Sequence, residues 1–195
     1  AQSKPRDSDQ YSKNKPFIIG IVGKAGSGKN TLATDISDSF SVPVAIQEIS
    51  EVAKNQARLL YRWDGVKDEA GRRLLQDIME AGNKYNPNLW TTLLGELVDS
   101  LNARVVIVPD IRPLNQAEWI RARGGVVVGI VRPDSVGQGI TEETGNHVSE
   151  LAVDATLKAK AVNIIFTNSD NEAKLKAFAQ VVAESVKSII FGVQN

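Results

Sequence analysis

The segment that most constrains the fold is a short apolar run followed at once by a glycine-rich loop. The run reads FIIGIV over residues 17–22 and contains no polar residue, which is typical of a strand buried in a parallel sheet. The loop that follows carries Gly23, Gly26 and Gly28, and beyond it apolar residues recur at helical spacing over 32–40. A strand, a glycine loop and a helix in this order form the context that a phosphate-binding loop requires.

The spacing of this loop fits G-x-x-x-x-G-K, from Gly23 to Gly28 and Lys29. Glycines let backbone N–H groups turn toward phosphate oxygens without Cβ clashes, and the helix N-terminus adds further donors. Lys29 supplies a mobile cation for the outer phosphates. The next position usually carries Ser or Thr as a Mg²⁺ ligand, whereas here it is Asn30, followed by Thr31. An amide oxygen can still accept a bond from Mg²⁺-bound water. The alternative interpretation is a glycine-rich turn without a ligand.

Composition excludes several other classes of protein. Hydrophobic content of 42% and charged content of 24% over 195 residues are those of a soluble globular domain. Because 23 basic residues balance 23 acidic ones, no bulk field favours a nucleic acid polymer or a membrane. The absence of cysteine excludes disulfides and fits a reducing cytoplasm, and a single histidine argues against a His-rich zinc site. No apolar stretch is long enough to span a membrane.

Strands and helices alternate along the rest of the chain, which predicts a doubly wound α/β fold with a mostly parallel five-stranded sheet. Further strands are expected over 42–46, 104–109, 126–131 and 162–166. We expect a disordered tail over 1–15, without the apolar segment of a secretory signal, and a single domain over 16–195. Within that domain we expect a helical substrate-binding insertion over 48–102 and a lid over 133–150 that contains His147, either a hinge contact or a catalytic group. The apolar helices over 89–101 and 173–190 suit either the core or a homodimer interface.

Charged residues follow two of the predicted strands directly. In an open parallel sheet, ligands bind outside the C-terminal ends of the strands, so Asp110, Arg112 and Arg132 should lie near the glycine loop. Asp110 can hold Mg²⁺ directly or through water, or it can cap the following turn. Arg112 and Arg132 can meet charge that develops during phosphoryl transfer, or they can form structural ion pairs.

The insertion supplies candidates for binding an acceptor molecule. Arg72 and Arg73 can clasp a phosphate with their guanidinium groups, although neighbours on a helix cannot both face it. Trp90 lies on a leucine-rich helix and is either a core residue or a platform for stacking a base.

Several segments together resemble the phage-type deoxynucleoside monophosphate kinases, a branch of the P-loop nucleoside monophosphate kinases. The resemblance covers residues 17–170 or so. The segments that carry it are GKAGSGKNT at 23–31, WDGVKDEAGRRLLQ at 63–76, PNLW at 87–90, DIRPLNQAEWIRARGGVVVGIVRP at 110–133 and HVSE at 147–150. The sequence departs from the family pattern at Asn30, where an acidic residue is frequent, and at Asn83, where an arginine is expected.

The resemblance implies transfer of the γ-phosphoryl of ATP to a deoxynucleoside monophosphate, with Mg²⁺ as cofactor. Arg132 is then expected to stabilise the transferring group, and Asn168 to lie near the adenine of ATP. The implied phosphate contacts of ATP are Gly23, Lys24, Ala25, Gly26, Ser27, Gly28, Lys29, Asn30 and Thr31. For the acceptor phosphate the resemblance implies contacts from Arg73, Gln76 and Arg112. Together with the candidates from the insertion, the expected acceptor contacts are Arg72, Arg73, Gln76, Trp90 and Arg112.

Two alternatives remain at the level of the sequence. One is a P-loop kinase with another small acceptor, such as dephospho-coenzyme A. The other is a nucleotide-binding module without turnover, which Asn30 favours because it lacks the usual hydroxyl.

Overall fold

The computed structural model describes residues 15–133 and 148–192 of the chain. In this part the strands are β1 (Phe17–Val22), β2 (Val44–Ile46), β3 (Val105–Ile111), β4 (Val126–Val131) and β5 (Ile164–Thr167). The helices are α1 (Lys29–Asp38), α2 (Glu51–Tyr61), α3 (Glu69–Tyr85), α4 (Leu89–Ser100), α5 (Leu114–Ala122), α6 (Val148–Leu157) and α7 (Glu172–Phe191). Most of the predicted tail (1–15) and of the predicted lid (133–150) lies outside the described residues, namely 1–14 and 134–147, including His147.

The five strands form one sheet in the order β2-β3-β1-β4-β5, and every neighbouring pair is parallel. The apolar run that opens the fold is the central strand, with Ile19 opposite both Ile107 and Val126. β2 lies at an edge, directly after Pro43, as expected for a strand next to a residue that cannot donate to the ladder. The prediction of a five-stranded α/β sheet is confirmed, and the sheet is parallel throughout.

Side chains of the central strands alternate between two apolar layers, because successive residues of a strand point to opposite faces. On one face Ile18 of β1 packs in a cluster with residues of α4, α5 and α6. On the other face Ile19 and Ile21 pack with residues of α1 and α7. Helices therefore cover both faces of the sheet, which makes the fold doubly wound.

The three helices between β2 and β3 are buried to different degrees. α4 belongs to the core, since Trp90, Leu94 and Val98 are buried in the first apolar layer. α3 is amphipathic but hardly buried, and Gly71 is its only buried residue. It begins at Asp68, whose carboxylate accepts a hydrogen bond from the Gly71 N–H at 2.8 Å. α3 can therefore form the wall of a cleft while α4 supports the sheet.

Parallel pairing brings the C-terminal ends of all five strands to one edge of the sheet. The glycine loop, Asp110, Arg112, Arg132 and Asn168 consequently gather at this edge. Asn171 caps α7, because its side chain accepts from the Lys174 N–H at 3.0 Å. None of the helices in 15–133 and 148–192 combines the length and the apolar character of a membrane span.

Candidate active site

The glycine loop has the backbone shape that encloses a phosphate. Gly26 and Gly28 have φ of 75° and 102°, values that side-chain-bearing residues rarely adopt. A Cβ on Gly23 would lie 2.7 Å from the Ile130 carbonyl oxygen, so this position also excludes a side chain. α1 begins directly after Gly28 and has no side-chain cap, which leaves its first N–H groups available to an anion.

Two residues from the ends of β4 and β5 hold the loop from outside. Asn168 is 7% exposed; its Nδ2 donates to the Ser27 carbonyl at 3.0 Å, and its Oδ1 accepts from the Asp170 N–H at 3.1 Å. Arg132 donates to the Gly26 carbonyl at 3.2 Å and pairs with Asp170 at 2.7 Å. These contacts fix the loop backbone. Predicted contacts of Asn168 with adenine and of Arg132 with the transferring group stay predictions.

Lys29 lies inside the loop it terminates. Its Nζ donates to the Lys24 carbonyl at 2.7 Å, while the Lys24 side chain turns away and pairs with Asp154 of α6 at 2.8 Å. Burial lowers the pKa of Lys29 to about 7, with repulsion from Arg112 as the next cause. An anion in the loop would restore the positive charge of this amine.

A cavity of about 500 Å³ extends from the loop to α3. The ends of β2 and β3 form the rest of its wall. Its charged lining residues are Lys29, Glu48, Lys54, Lys67, Arg72, Asp110 and Arg112. Its apolar and amide-bearing lining residues include Leu75, Gln76, Met79, Asn83, Pro109, Pro113 and Gln116. Five basic side chains against two acidic ones make the cavity suited to anions.

Asp110 is held by the backbone at the start of α2. Its two carboxylate oxygens accept hydrogen bonds from the N–H groups of Ile49 at 2.8 Å and Ser50 at 2.9 Å. Asp110 therefore caps the backbone before α2 rather than the turn that follows it, and it also lines the cavity. Each oxygen keeps a second lone pair for a water molecule or a cation.

The residues predicted to hold Mg²⁺ both line the cavity, Asn30 beside the loop and Asp110 at the end of β3. In the described part of the chain no three His, Cys, Asp or Glu residues cluster as a metal site would require. A donor set of one amide and one carboxylate beside a phosphate loop fits Mg²⁺, which keeps several water ligands and binds phosphate oxygens. It does not fit a metal held by protein ligands alone.

Arg112 is half-buried near Asp110, just after the end of β3. Burial lowers the pKa of Arg112, while the Asp110 carboxylate opposes that shift. Its backbone N–H donates to Gln116 Oε1 at 3.3 Å, and its carbonyl accepts from the Thr156 hydroxyl of α6 at 2.7 Å. Because a backbone N–H can only donate, the amide oxygen of Gln116 must face it, and its NH₂ group is directed elsewhere.

Two of the predicted acceptor contacts lie outside the cavity. Arg72 and Gln76 line it, but Arg73, one position further around α3, is directed outward and pairs with Glu69 at 3.6 Å. Trp90 is 4% exposed in the core. It donates from its indole N–H to the Met79 carbonyl at 2.9 Å, so it supports α3 from behind rather than stacking a base in the cavity.

Sequence reasoning missed several cavity residues, above all Glu48, Lys54, Lys67 and Gln116. Lys54 carried a usable signal, since it lies among the small apolar residues Ala53 and Ala57 that α2 buries. Gln116 follows Arg112 by four residues, at the first turn of the helix after β3. Neither position belongs to a motif that composition or spacing would single out.

Binding of ATP at pH 8 is expected to add a proton to Lys29. With a pKa of about 7, the amine is mostly neutral at this pH in the free protein. A phosphate favours the charged form and raises the pKa, so the complex holds a proton that the free protein lacks and ATP affinity falls as pH rises above about 7. Calorimetry in two buffers of different ionisation enthalpy should report uptake of about 0.5 to 1 proton. The same uptake by Lys29→Met would contradict this assignment.

No protein-family model matches the chain, and no curated protein matches its sequence. Among solved structures, TT1252 from Thermus thermophilus is similar in fold: the match covers 87% of this chain and 97% of that one at 23% identity, with a TM-score of 0.52. Two further structures, both of kinases, are less similar. Shikimate kinase from Aquifex aeolicus has 16% identity, coverage of 91% and 100%, and a TM-score of 0.47. The Mycobacterium tuberculosis APS kinase has 16% identity, coverage of 89% and 99%, and a TM-score of 0.48. At these identities the likeness concerns the fold alone.

Proposed function

We propose that the protein is a phosphotransferase that moves the γ-phosphoryl of ATP to the phosphate of a deoxynucleoside monophosphate. One observation carries the proposal: a phosphate loop with its lysine opens into the same cavity as Arg72 and Arg112. The cavity thus offers one cationic site for a donor and a second for an acceptor that is itself an anion. A protein that only bound or hydrolysed a nucleotide would not need the second site.

The residues of the chain have separable roles in this reaction. The loop amides and Lys29 would bind the β- and γ-phosphates, and Arg72 and Arg112 would orient the acceptor phosphate. An acceptor oxygen attacks the γ-phosphorus, the bond to the β,γ-bridging oxygen breaks, and ADP leaves. Asn30 and Asp110 would hold Mg²⁺, which when bound neutralises charge on the phosphates.

The other lining residues support a nucleotide as the acceptor. Leu75, Met79, Pro109 and Pro113 offer apolar surface for a planar base. The carboxamides of Gln76 and Asn83 can donate and accept hydrogen bonds at base edges, and Gln116 can donate from its NH₂ group. This mixture of apolar walls and a few amides beside cations matches a monophosphate nucleotide better than a small sugar acid.

A coupled ADP-release assay on a panel of nucleoside and deoxynucleoside monophosphates tests the proposal directly. The panel should include dephospho-coenzyme A and the unphosphorylated nucleosides as other acceptors. We expect turnover with at least one monophosphate and none with its nucleoside. ATP binding without turnover on any member would refute the kinase and favour a binding module.

Neighbouring arginines on α3 provide a matched pair of variants. Arg72→Met is expected to raise the acceptor KM by about 10- to 100-fold, because a guanidinium–phosphate contact is lost from the cavity. Arg73→Met should leave the acceptor KM within about twofold, because Arg73 is directed away from the cavity and its ion pair with Glu69 is exposed. Steady-state kinetics with the acceptor that turns over best would measure both. The reverse order of effects would assign the contact to Arg73, as the family resemblance implies.

A further inference from the structure

Two lysines on the cavity wall are not used by the roles above. Lys54 of α2 and Lys67, which precedes α3, both line the cavity, together with Glu48. Lys54 is 7% exposed, an unusual degree of burial for lysine. Its ammonium pairs with the Glu48 carboxylate and lies 3.5 Å from Glu51 Oε2.

The two ammonium groups lie beside each other in spite of their like charge. Burial lowers the pKa of Lys54 to about 8, and Lys67 is the next cause, through charge and a direct side-chain contact. Lys67 also acts on Lys29, with the same sign. Lys67 thus repels two lysines from other segments in one cavity, and an anion between them would relieve that repulsion.

Acidic neighbours offset only part of this charge. Glu48 and Glu51 both pair with Lys54, and Asp110, the other carboxylate of the lining, is engaged by two backbone N–H groups. Lys29 and the loop amides are sufficient for the terminal phosphates of the donor. Lys54 and Lys67 belong instead to the insertion between β2 and β3, the same segment that supplies Arg72.

We propose that Lys54 and Lys67 form an anion subsite for the dianionic phosphate of the acceptor, with Glu48 as the counterion that holds Lys54 in place. This inference rests on the proposed function, because it assigns the acceptor side of the same cavity. The subsite suits an acceptor whose reacting group is a phosphate monoester, with about −1.5 to −2 charges at neutral pH. It suits a hydroxyl or a carboxylate less well.

Methionine variants of the two lysines test the subsite, since methionine keeps the apolar stem and removes the charge. Lys67→Met and Lys54→Met are each expected to raise the acceptor KM about tenfold, with kcat within about threefold and the ATP KM unchanged. The double variant should lose less than the product of the single effects, because both lysines contact one phosphate. Lys84→Met is the control, since this lysine lies on α3 but is exposed and pairs with Glu80.

Equal acceptor KM values for Lys54→Met, Lys67→Met and Lys84→Met would overturn the subsite. A rise in the ATP KM instead of the acceptor KM would also overturn it. Because Lys54 is buried, the kinetics of Lys54→Met are interpreted only if this variant unfolds at the same temperature as the wild type. If it does not, the kinetics of Lys67→Met alone decide, because Lys67 is exposed. If no acceptor turns over, ³¹P NMR line broadening of inorganic phosphate by the wild type and by Lys67→Met distinguishes failure of the kinase proposal from failure of the subsite proposal. Phosphate binding that Lys67→Met weakens would support the subsite while the kinase fails, and wild-type protein that does not bind phosphate would overturn both.

Discussion

Lys29→Ala is expected to lower kcat by at least about 10³-fold and to leave the fold intact. The Lys29 ammonium lies inside the phosphate loop, where it can follow the γ-phosphoryl as charge develops on it. Its removal also takes away a buried charge, so the midpoint of thermal unfolding should stay equal or rise. Steady-state ADP release at saturating ATP and acceptor would measure the loss.

Lys24→Ala is the matched control in the same loop. Its side chain is directed away to Asp154, and only its backbone carbonyl meets Lys29. We therefore expect kcat within about threefold of the wild type, because an exposed ion pair contributes little. An unchanged kcat in Lys29→Ala would remove the loop from the chemistry altogether.

Arg112→Met is expected to lower kcat/KM for the acceptor by about 10²- to 10³-fold. Arg112 is half-buried and lines the cavity, where restricted contact with water strengthens its attraction for a phosphate. Arg112→Lys should recover only part of the loss, since an ammonium cannot bind two phosphate oxygens in the fork geometry of arginine. Kinetics over a range of acceptor concentrations would separate KM from kcat.

Arg104→Met provides the control for this experiment. Arg104 directly precedes β3, at the end of that strand opposite to Arg112, and its guanidinium lies 5.9 Å from the ring centroid of Phe191. Its removal should leave acceptor kinetics unchanged within about twofold. A comparable fall in both variants would mean that the loss in Arg112→Met reflects a disturbed sheet rather than a lost phosphate contact.

The architecture of the site follows from the sequence because it depends on topology. A short apolar run bounded by glycines, such as residues 17–22, is typical of a buried strand, and parallel strands bring their C-terminal ends together. Asp110, Arg112 and the loop could therefore be assigned to one edge before any distance was known. The sequence could not decide between metal binding and capping for Asp110, because both roles use the same carboxylate oxygens.

The helical side of the cavity was harder to predict because it depends on the phase of one helix. One residue on α3 corresponds to about 100° of rotation, so the sequence cannot choose between Arg72 and Arg73 without knowing which face packs. Trp90 decides this phase, because its ring lies against Gly82, where a Cβ would come within 2.5 Å. Lys54 was missed for a different reason: apolar periodicity does not register a buried lysine whose charge a carboxylate on another segment offsets.

The unequal charge of the cavity has a consequence for the molecule as a whole. The complete chain carries equal numbers of basic and acidic residues, yet the cavity lining has five basic and two acidic ones. The remainder of the chain therefore has three more acidic than basic residues, so basic charge is concentrated in the cleft. A small anion can enter the cleft and be attracted by this local charge. Its association rate should accordingly fall as ionic strength shortens the reach of that charge.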